Sequence, residues 1–233
     1  PMAPAASAGF RRPPAPRPHN AGMNTLAHPL GPRSPLIQAP MARSPGSALA
    51  LAVGAAGALG SLPGALLAPE ALRAELARLA ASGLPYNVNF FCHVPPAPDA
   101  AADTTWRAAL APYYREFGLD ASAVPAGPGR VPFSAAAAEL LAEFRPPVVS
   151  FHFGLPAPEL LAQVKRWGAL VLSSATTLPE ALWLEEHGAD AVIAQGLEAG
   201  GHRGHFLSMD LSDQLGTLAL VPQLVARLRV PVI

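Results

Sequence analysis

Short apolar runs alternate with segments of helical periodicity from Ser34 to the end of the chain. The apolar runs lack a clean apolar–polar alternation, which is typical of strands that are covered on both faces. Seven runs predict strands: Leu36–Ala39, Ala58–Leu62, Tyr86–Phe91, Val148–Phe153, Leu170–Ser174, Ala191–Gln195 and Val230–Ile233. The segments between them predict helices: Ser47–Ala55, Pro69–Ala81, Thr104–Phe117, Ser134–Phe144, Pro158–Trp167, Leu178–His187 and Leu215–Leu228.

Strand–helix repetition with short connections predicts an α/β fold with a parallel sheet. A doubly wound sheet and a (β/α)8 barrel both fit this order. Seven strands without a glycine-rich dinucleotide-binding turn after the first favour the barrel, cut after about seven strands. Two long connections interrupt the rhythm: residues 93–133, rich in Pro, Ala and Asp, and residues 196–214.

Composition narrows the class of protein. Of the 233 residues, 51% are apolar and 14% charged, against about 25% charged in an average domain. The 16 basic and 16 acidic residues argue against nucleic-acid or anionic-membrane binding. Glycine and proline interrupt the longest apolar stretch, residues 48–67, so we expect a cytoplasmic protein without a membrane span. Residues 1–33 are rich in Pro, Ala and Arg without apolar periodicity, which predicts a disordered tail.

The connection after the predicted strand Ala191–Gln195 has the most unusual composition in the chain. Gln195 ends the strand, and a loop follows in which His202 stands among glycines. Glycines let the backbone approach a ligand closely and expose its N–H groups. The loop contains Gly196, Gly200, Gly201 and Gly204.

A second candidate group lies at the end of the fourth predicted strand. The carboxyl ends of barrel strands meet at one face, so His152 and His202 are expected to share a pocket. Asn87 and Asn89 are two residues apart and therefore point to the same side of the sheet. Cys92, the single cysteine, is expected to be a buried, inert thiol. No motif with metal-ligand spacing, serine-nucleophile or P-loop character occurs, and no metal is predicted.

Six stretches carry a resemblance to a known family: LIQAPM (36–41), GALGSL (57–62), APEALR (68–73), NVNFF (87–91), VVSFHFG (148–154) and AQGLEAGGHRG (194–204). Taken in this order, they resemble the nitronate monooxygenases. The resemblance covers residues 34–233 and implies a TIM-type barrel with FMN at its C-terminal face. The domain organisation that follows is a tail, 1–33, and a partial FMN-binding barrel, 34–233, which includes the insertion 93–133.

The resemblance also implies roles for individual residues. His202 is similar to the family's catalytic base, and His152 is similar to a histidine that lines the substrate pocket. Histidine suits proton removal because its ordinary pKa lies near neutrality. Contacts with the flavin are implied for Met41, Asn89, Gln195, Gly200 and Gly201.

The implied activity is the FMN-dependent oxidation of small alkyl nitronates, such as propionate 3-nitronate, by O2 to a carbonyl compound and nitrite. The expected partners are the small-molecule nitronate and O2, and a homodimer is the candidate assembly. A flavin-dependent enoyl-ACP reductase and an inactive barrel fragment remain the alternatives.

Two departures from the family pattern affect these expectations. Arg43 and Pro45 stand in a loop that is glycine-rich in many relatives. The chain also ends at Ile233, before the loops that commonly bind phosphate in barrels, so we expect the FMN phosphate site to lie outside it. Residues 1–233 alone are therefore expected to bind FMN weakly or not at all, and to aggregate at micromolar concentration through unpaired strand edges.

Overall fold

The computed structural model describes residues 34–42, 46–120, 123 and 131–233. The predicted tail, 1–33, lies outside the described residues, as do Arg43 and Pro45.

Five parallel strands form one sheet in the order in which they occur along the chain. The strands are β1 (Gly60–Pro63), β2 (Tyr86–Phe91), β3 (Val148–His152), β4 (Leu170–Ala175) and β5 (Ala191–Ala194). A helix precedes or follows each strand, so the predicted α/β fold with a parallel sheet is confirmed.

The first and last predicted strands are shorter than expected. Each pairs with the sheet through a single parallel bridge, Ile37 beside Leu59 and Val232 beside Val192. Proline limits both segments, because Pro40 and Pro231 have no N–H to donate to a neighbouring strand. All seven predicted strands nevertheless contribute to one parallel array.

Seven helices connect the strands of the described region: α1 (Ser47–Ala55), α2 (Pro69–Ala81), α3 (Ala100–Glu116), α4 (Ala135–Phe144), α5 (Pro158–Arg166), α6 (Leu178–Glu186) and α7 (Thr217–Arg227). Three of them have proline in the first turn, where its missing N–H costs nothing. Helix α3 begins before the predicted Thr104 because Asp99 caps it, accepting the N–H groups of Ala101 and Ala102. It has no buried residue, and none of the described helices has the length and apolar content to cross a membrane.

The sheet curls around an apolar cluster of its own. Ile37, from one edge, and Ile233, from the other, pack against the same four buried residues. These residues are Leu59, Val148, Leu172 and Ala191. Because opposite edges of the sheet meet at one cluster, the sheet has the curvature of a barrel wall. The other face of the sheet packs against the helices, for example through Val88, Val149 and Val171.

Polar side chains occupy the inner face above this cluster. The Nδ2 atom of Asn87 donates to the hydroxyls of Ser61 at 3.0 Å and Ser150 at 2.9 Å. The Nδ2 atom of Asn89 also donates to the Ser150 hydroxyl, at 3.0 Å. The inside of the wall therefore changes from apolar to polar toward the carboxyl ends of the strands, where parallel α/β folds build their sites.

Candidate active site

The end of β3 fixes the direction of two aromatic side chains. Phe153 has φ 66° and Gly154 has φ 87°, so two consecutive residues are left-handed directly after His152. For a residue with a side chain this conformation costs about 1–2 kcal/mol, and such strain is concentrated at functional sites. The turn leaves the rings of His152 and Phe153 in contact, with centroids 4.5 Å apart.

The backbone carbonyl of His202 links the loop after β5 to the end of β3. It accepts a hydrogen bond from Nε2 of His152 at 3.1 Å and another from Nε2 of Gln195 at 2.8 Å. The other end of the Gln195 amide, Oε1, accepts the N–H of Gly204 at 2.6 Å. The structure therefore brings His152, Gln195 and His202 together, and it uses both ends of the Gln195 amide to hold the loop.

Two phenylalanines that the sequence pattern did not single out complete this site. The rings of Phe91 and Phe153 lie 5.4 Å apart, and the His202 ring lies 5.4 Å from the first and 6.0 Å from the second. The ring of His93, which the sequence does not group with the other histidines, lies 6.2 Å from Phe153. Phe91 shares the inner face with Asn89, so strand alternation was the signal that could have identified it.

Burial determines the protonation of His152. Desolvation lowers its pKa, which the hydrogen bond to the His202 carbonyl and the negative charge of Glu180 oppose. A carbonyl oxygen can only accept, so Nε2 of His152 carries the proton of this hydrogen bond. In the neutral ring the lone pair then lies on Nδ1, and His152 is a neutral imidazole near pH 7.

The glycines of the loop serve two purposes. A Cβ added at Gly204 would lie 2.6 Å from Cε1 of His152, and one at Gly196 would lie 2.1 Å from Oγ1 of Thr217. Gly204 and Gly196 therefore permit close packing. A Cβ at Gly200 or Gly201 would meet nothing within 4 Å, so their backbone faces open space. That open backbone can lie against a flat ligand.

The remaining predicted residues lie at the same edge of the sheet. Asn89 is buried and pairs in register with Ser150, two residues before the pair formed by Phe91 and His152. Met41 is 59% exposed and follows the short strand segment at Ile37. No group of three or more potential metal ligands occurs in the ranges the structure describes.

Residues 26–233 match the family model for nitronate monooxygenase. The chain belongs to the nitronate monooxygenase family. The nitronate monooxygenase of Paraburkholderia phytofirmans is 43% identical over 218 residues, which cover 91% of this chain and 58% of that protein. The nitronate monooxygenase of Pseudomonas aeruginosa is 42% identical over 213 residues, 88% of this chain and 59% of that protein.

Solved structures agree with this family and with the barrel. A nitroalkane oxidase from Streptomyces ansochromogenes has a TM-score of 0.75 and 38% identity, covering 86% of this chain and 58% of that one. FabK from Thermotoga maritima has a TM-score of 0.61 at 24% identity, and that likeness concerns the fold alone. This nitronate monooxygenase family member thus spans about 58% of the length of the relatives named here.

Proposed function

We propose that the protein is an FMN-dependent nitronate monooxygenase that oxidises small alkyl nitronates, such as propionate 3-nitronate, with O2 to a carbonyl compound and nitrite. The observation that carries this proposal is the joining of His152 and His202 through a backbone hydrogen bond at the carboxyl ends of barrel strands. The names of the two bacterial relatives support the same chemistry.

The open backbone of Gly200 and Gly201 fits a flat cofactor such as FMN, because none of the residues that the structure describes fills the space above it. The residues proposed to hold the ring system are Met41, Asn89, Gln195, Gly200 and Gly201. When bound, FMN supplies the redox chemistry, accepting an electron from the nitronate. Gln195 acts on the cofactor through the loop whose shape it fixes.

The aromatic rings define the kind of substrate that this site accepts. Phe91 and Phe153 present apolar edges beside the His202 ring. A short alkyl group can pack against these edges, while the His202 imidazole offers a hydrogen bond to a nitro oxygen.

A neutral nitroalkane needs a base to remove its α-proton, and the two histidines are the candidates. Family resemblance favours His202, whose ring is exposed at the edge of the phenylalanine pair. The geometry favours His152, because burial keeps it neutral and its Nε2 hydrogen bond fixes both the tautomer and the ring orientation. We propose His152 as the proton acceptor and His202 as the residue that completes the pocket wall.

The matched variants His152→Asn and His202→Asn decide between these roles. Loss of a positioned base lowers turnover by about 10²–10⁴. We expect that loss for His152→Asn with a neutral nitroalkane and a smaller loss with the preformed nitronate, which has no proton to remove. A larger nitroalkane-specific loss in His202→Asn would assign the base to His202 instead.

The proposed activity is tested by measuring O2 uptake and nitrite release with propionate 3-nitronate, alongside NADH oxidation with an enoyl thioester. We expect nitrite formation with the nitronate and no comparable oxidation of NADH. Turnover of NADH and the enoyl thioester without nitronate oxidation would replace the proposal with a reductase. A cytoplasmic homodimer also stays a prediction, tested by sizing the protein in solution.

A further inference from the structure

We propose that Glu180 is a positioning residue for the two-histidine site: its buried carboxylate ties the segment that follows His202 to the turn between β4 and α6. This role rests on the proposed function for its catalytic consequence, although the tie itself is a feature of the fold.

The Glu180 carboxylate is 1% exposed and makes hydrogen bonds with both oxygens. Oε2 accepts the N–H of Thr176 at 2.8 Å and its hydroxyl at 2.8 Å. Oε1 accepts the N–H of Phe206 at 2.6 Å and that of Leu207 at 3.3 Å. One side chain therefore joins the backbone at Thr176 to that at Phe206, which lies 26 residues after Glu180.

A helix cap accounts for only half of this arrangement. Thr177 is the N-cap of α6 and accepts the N–H of Glu180 at 3.3 Å. Glutamate three residues after a cap commonly reaches back to the start of its helix, and Oε2 does so at Thr176. Oε1 points the other way, to Phe206 and Leu207, and no requirement of the helix explains those bonds.

The tie completes a set of fixed points along residues 202–207. His152 and Gln195 hold the carbonyl of His202, and Gln195 holds the N–H of Gly204. Glu180 holds the amides of Phe206 and Leu207. The ring of Phe206 packs over Gly154, where an added Cβ would lie 3.2 Å from its Cδ2 atom. Glu180 thus fixes the far end of a segment whose near end carries His202.

Glu180 also acts on His152 electrostatically. Desolvation lowers the pKa of His152, and the hydrogen bond to the His202 carbonyl raises it. Two charges also act on it: that of the His202 ring lowers the pKa, and that of Glu180 raises it. Removing the negative charge of Glu180 would therefore lower the pKa of His152 further. The same carboxylate therefore affects both the position of the loop and the basicity of the imidazole.

Only a carboxylate can satisfy this site. Three backbone N–H groups, those of Thr176, Phe206 and Leu207, point at its two oxygens. Glutamine has one acceptor oxygen and an NH2 group. In Glu180→Gln the NH2 group would face either Thr176 N–H or the two loop amides, so one side of the tie is lost.

Glu185 on the same helix provides a matched control. Its Oε1 also accepts two backbone N–H groups of a distant segment, those of Arg229 at 2.5 Å and Val230 at 2.9 Å. Glu185→Gln removes the charge of a comparable carboxylate but keeps one oxygen that can accept these two N–H groups, and it leaves Phe206, Leu207 and His152 untouched. Glu180→Asp keeps the charge on a side chain that is one methylene shorter.

The experiment compares Glu180→Gln, Glu180→Asp and Glu185→Gln by hydrogen exchange of Thr176 and residues 203–208 and by an NMR titration of His152. We expect Glu180→Gln to speed exchange on the side that its NH2 group faces, either at the Phe206 and Leu207 amides or at the Thr176 amide, and to lower the pKa of His152. Glu180→Asp should also speed the exchange, but the pKa of His152 should stay closer to its wild-type value because the negative charge is kept. With nitronate as substrate, kcat should fall about tenfold in Glu180→Gln, because misplaced groups lose rate, and Glu185→Gln should keep the wild-type value.

Wild-type exchange at all three amides, those of Thr176, Phe206 and Leu207, in Glu180→Gln, or equal effects in Glu185→Gln, would overturn the proposal. If Glu180→Gln does not fold, Glu180→Asp decides through the exchange measurement alone: faster exchange confined to residues 203–208 supports the tie, and unchanged exchange overturns it. Neither the exchange nor the titration needs a nitronate. A protein that shows the expected exchange but no nitronate oxidation would therefore refute the proposed function while supporting the tie.

Discussion

Gly204→Ala is the substitution for which the structure predicts the most specific damage. The new methyl carbon would lie 2.6 Å from Cε1 and 3.1 Å from Nδ1 of His152, and 3.0 Å from Oε1 of Gln195. Carbon atoms in contact prefer separations of about 3.5–4.0 Å, so the imidazole must move by about 1 Å. The hydrogen bond between His152 and the His202 carbonyl cannot keep its present geometry after such a shift.

Two contributions set the size of the effect. Overpacking a well-filled site costs about 1–3 kcal/mol, and a lost hydrogen bond costs about 0.5–1.5 kcal/mol. We therefore expect the free energy of unfolding to fall by about 3 kcal/mol, or about 6–12 °C in Tm for a domain of this size. Displacing a catalytic group by about 1 Å lowers turnover by about 10²-fold.

Thermal unfolding followed by circular dichroism gives the stability, and nitrite release from propionate 3-nitronate gives the turnover. Gly200→Ala is the matched control for stability, because its methyl group meets no atom within 4 Å. A Gly204→Ala protein with wild-type Tm and wild-type turnover would refute the close packing of Gly204 against His152.

Three further predictions concern the cofactor, the pH dependence and the cysteine. Gly200→Ala should leave the free energy of unfolding within about 0.5 kcal/mol of wild type but weaken FMN binding in a fluorescence titration; unchanged affinity would place the flavin elsewhere. Burial lowers the pKa of His152 below its ordinary 6.5, so below pH 6.5 the unfolded chain binds a proton that the folded chain does not, and stability falls. In His152→Asn, the free energy of unfolding measured by urea titration should fall less below pH 6.5 than in the wild type. An equal fall in the two proteins would contradict this role of His152. Cys92 is partly buried, and desolvation raises the pKa of its thiol, so a thiol reagent should label the native protein much more slowly than the denatured one, and equal rates would contradict this.

The sequence predicted most of the elements because local signals determine them. Helices Ser47–Ala55 and Pro69–Ala81 and strand Tyr86–Phe91 have the predicted bounds. Apolar periodicity, first-turn prolines and glycine at the ends of elements act within a few residues, so they can be identified without tertiary structure.

The site was predictable only as a set of residue types at strand ends. His152, Gln195 and His202 follow from the barrel rule, but no periodicity indicates that the contact runs through the His202 carbonyl. Glu180 matches a helix-cap pattern, which gives no sign of its bonds to a segment 26 residues away. The left-handed conformation of Phe153 was equally hidden, because a phenylalanine carries no local preference for it.

We propose that electrons pass from a nitronate to a flavin held beside His152 and His202. The most direct test is anaerobic addition of propionate 3-nitronate to the FMN-loaded protein, followed by the visible absorbance of the flavin. We expect the nitronate to bleach the visible absorbance of the flavin and NADH to cause no comparable change. Bleaching by NADH with no response to the nitronate would contradict this proposal.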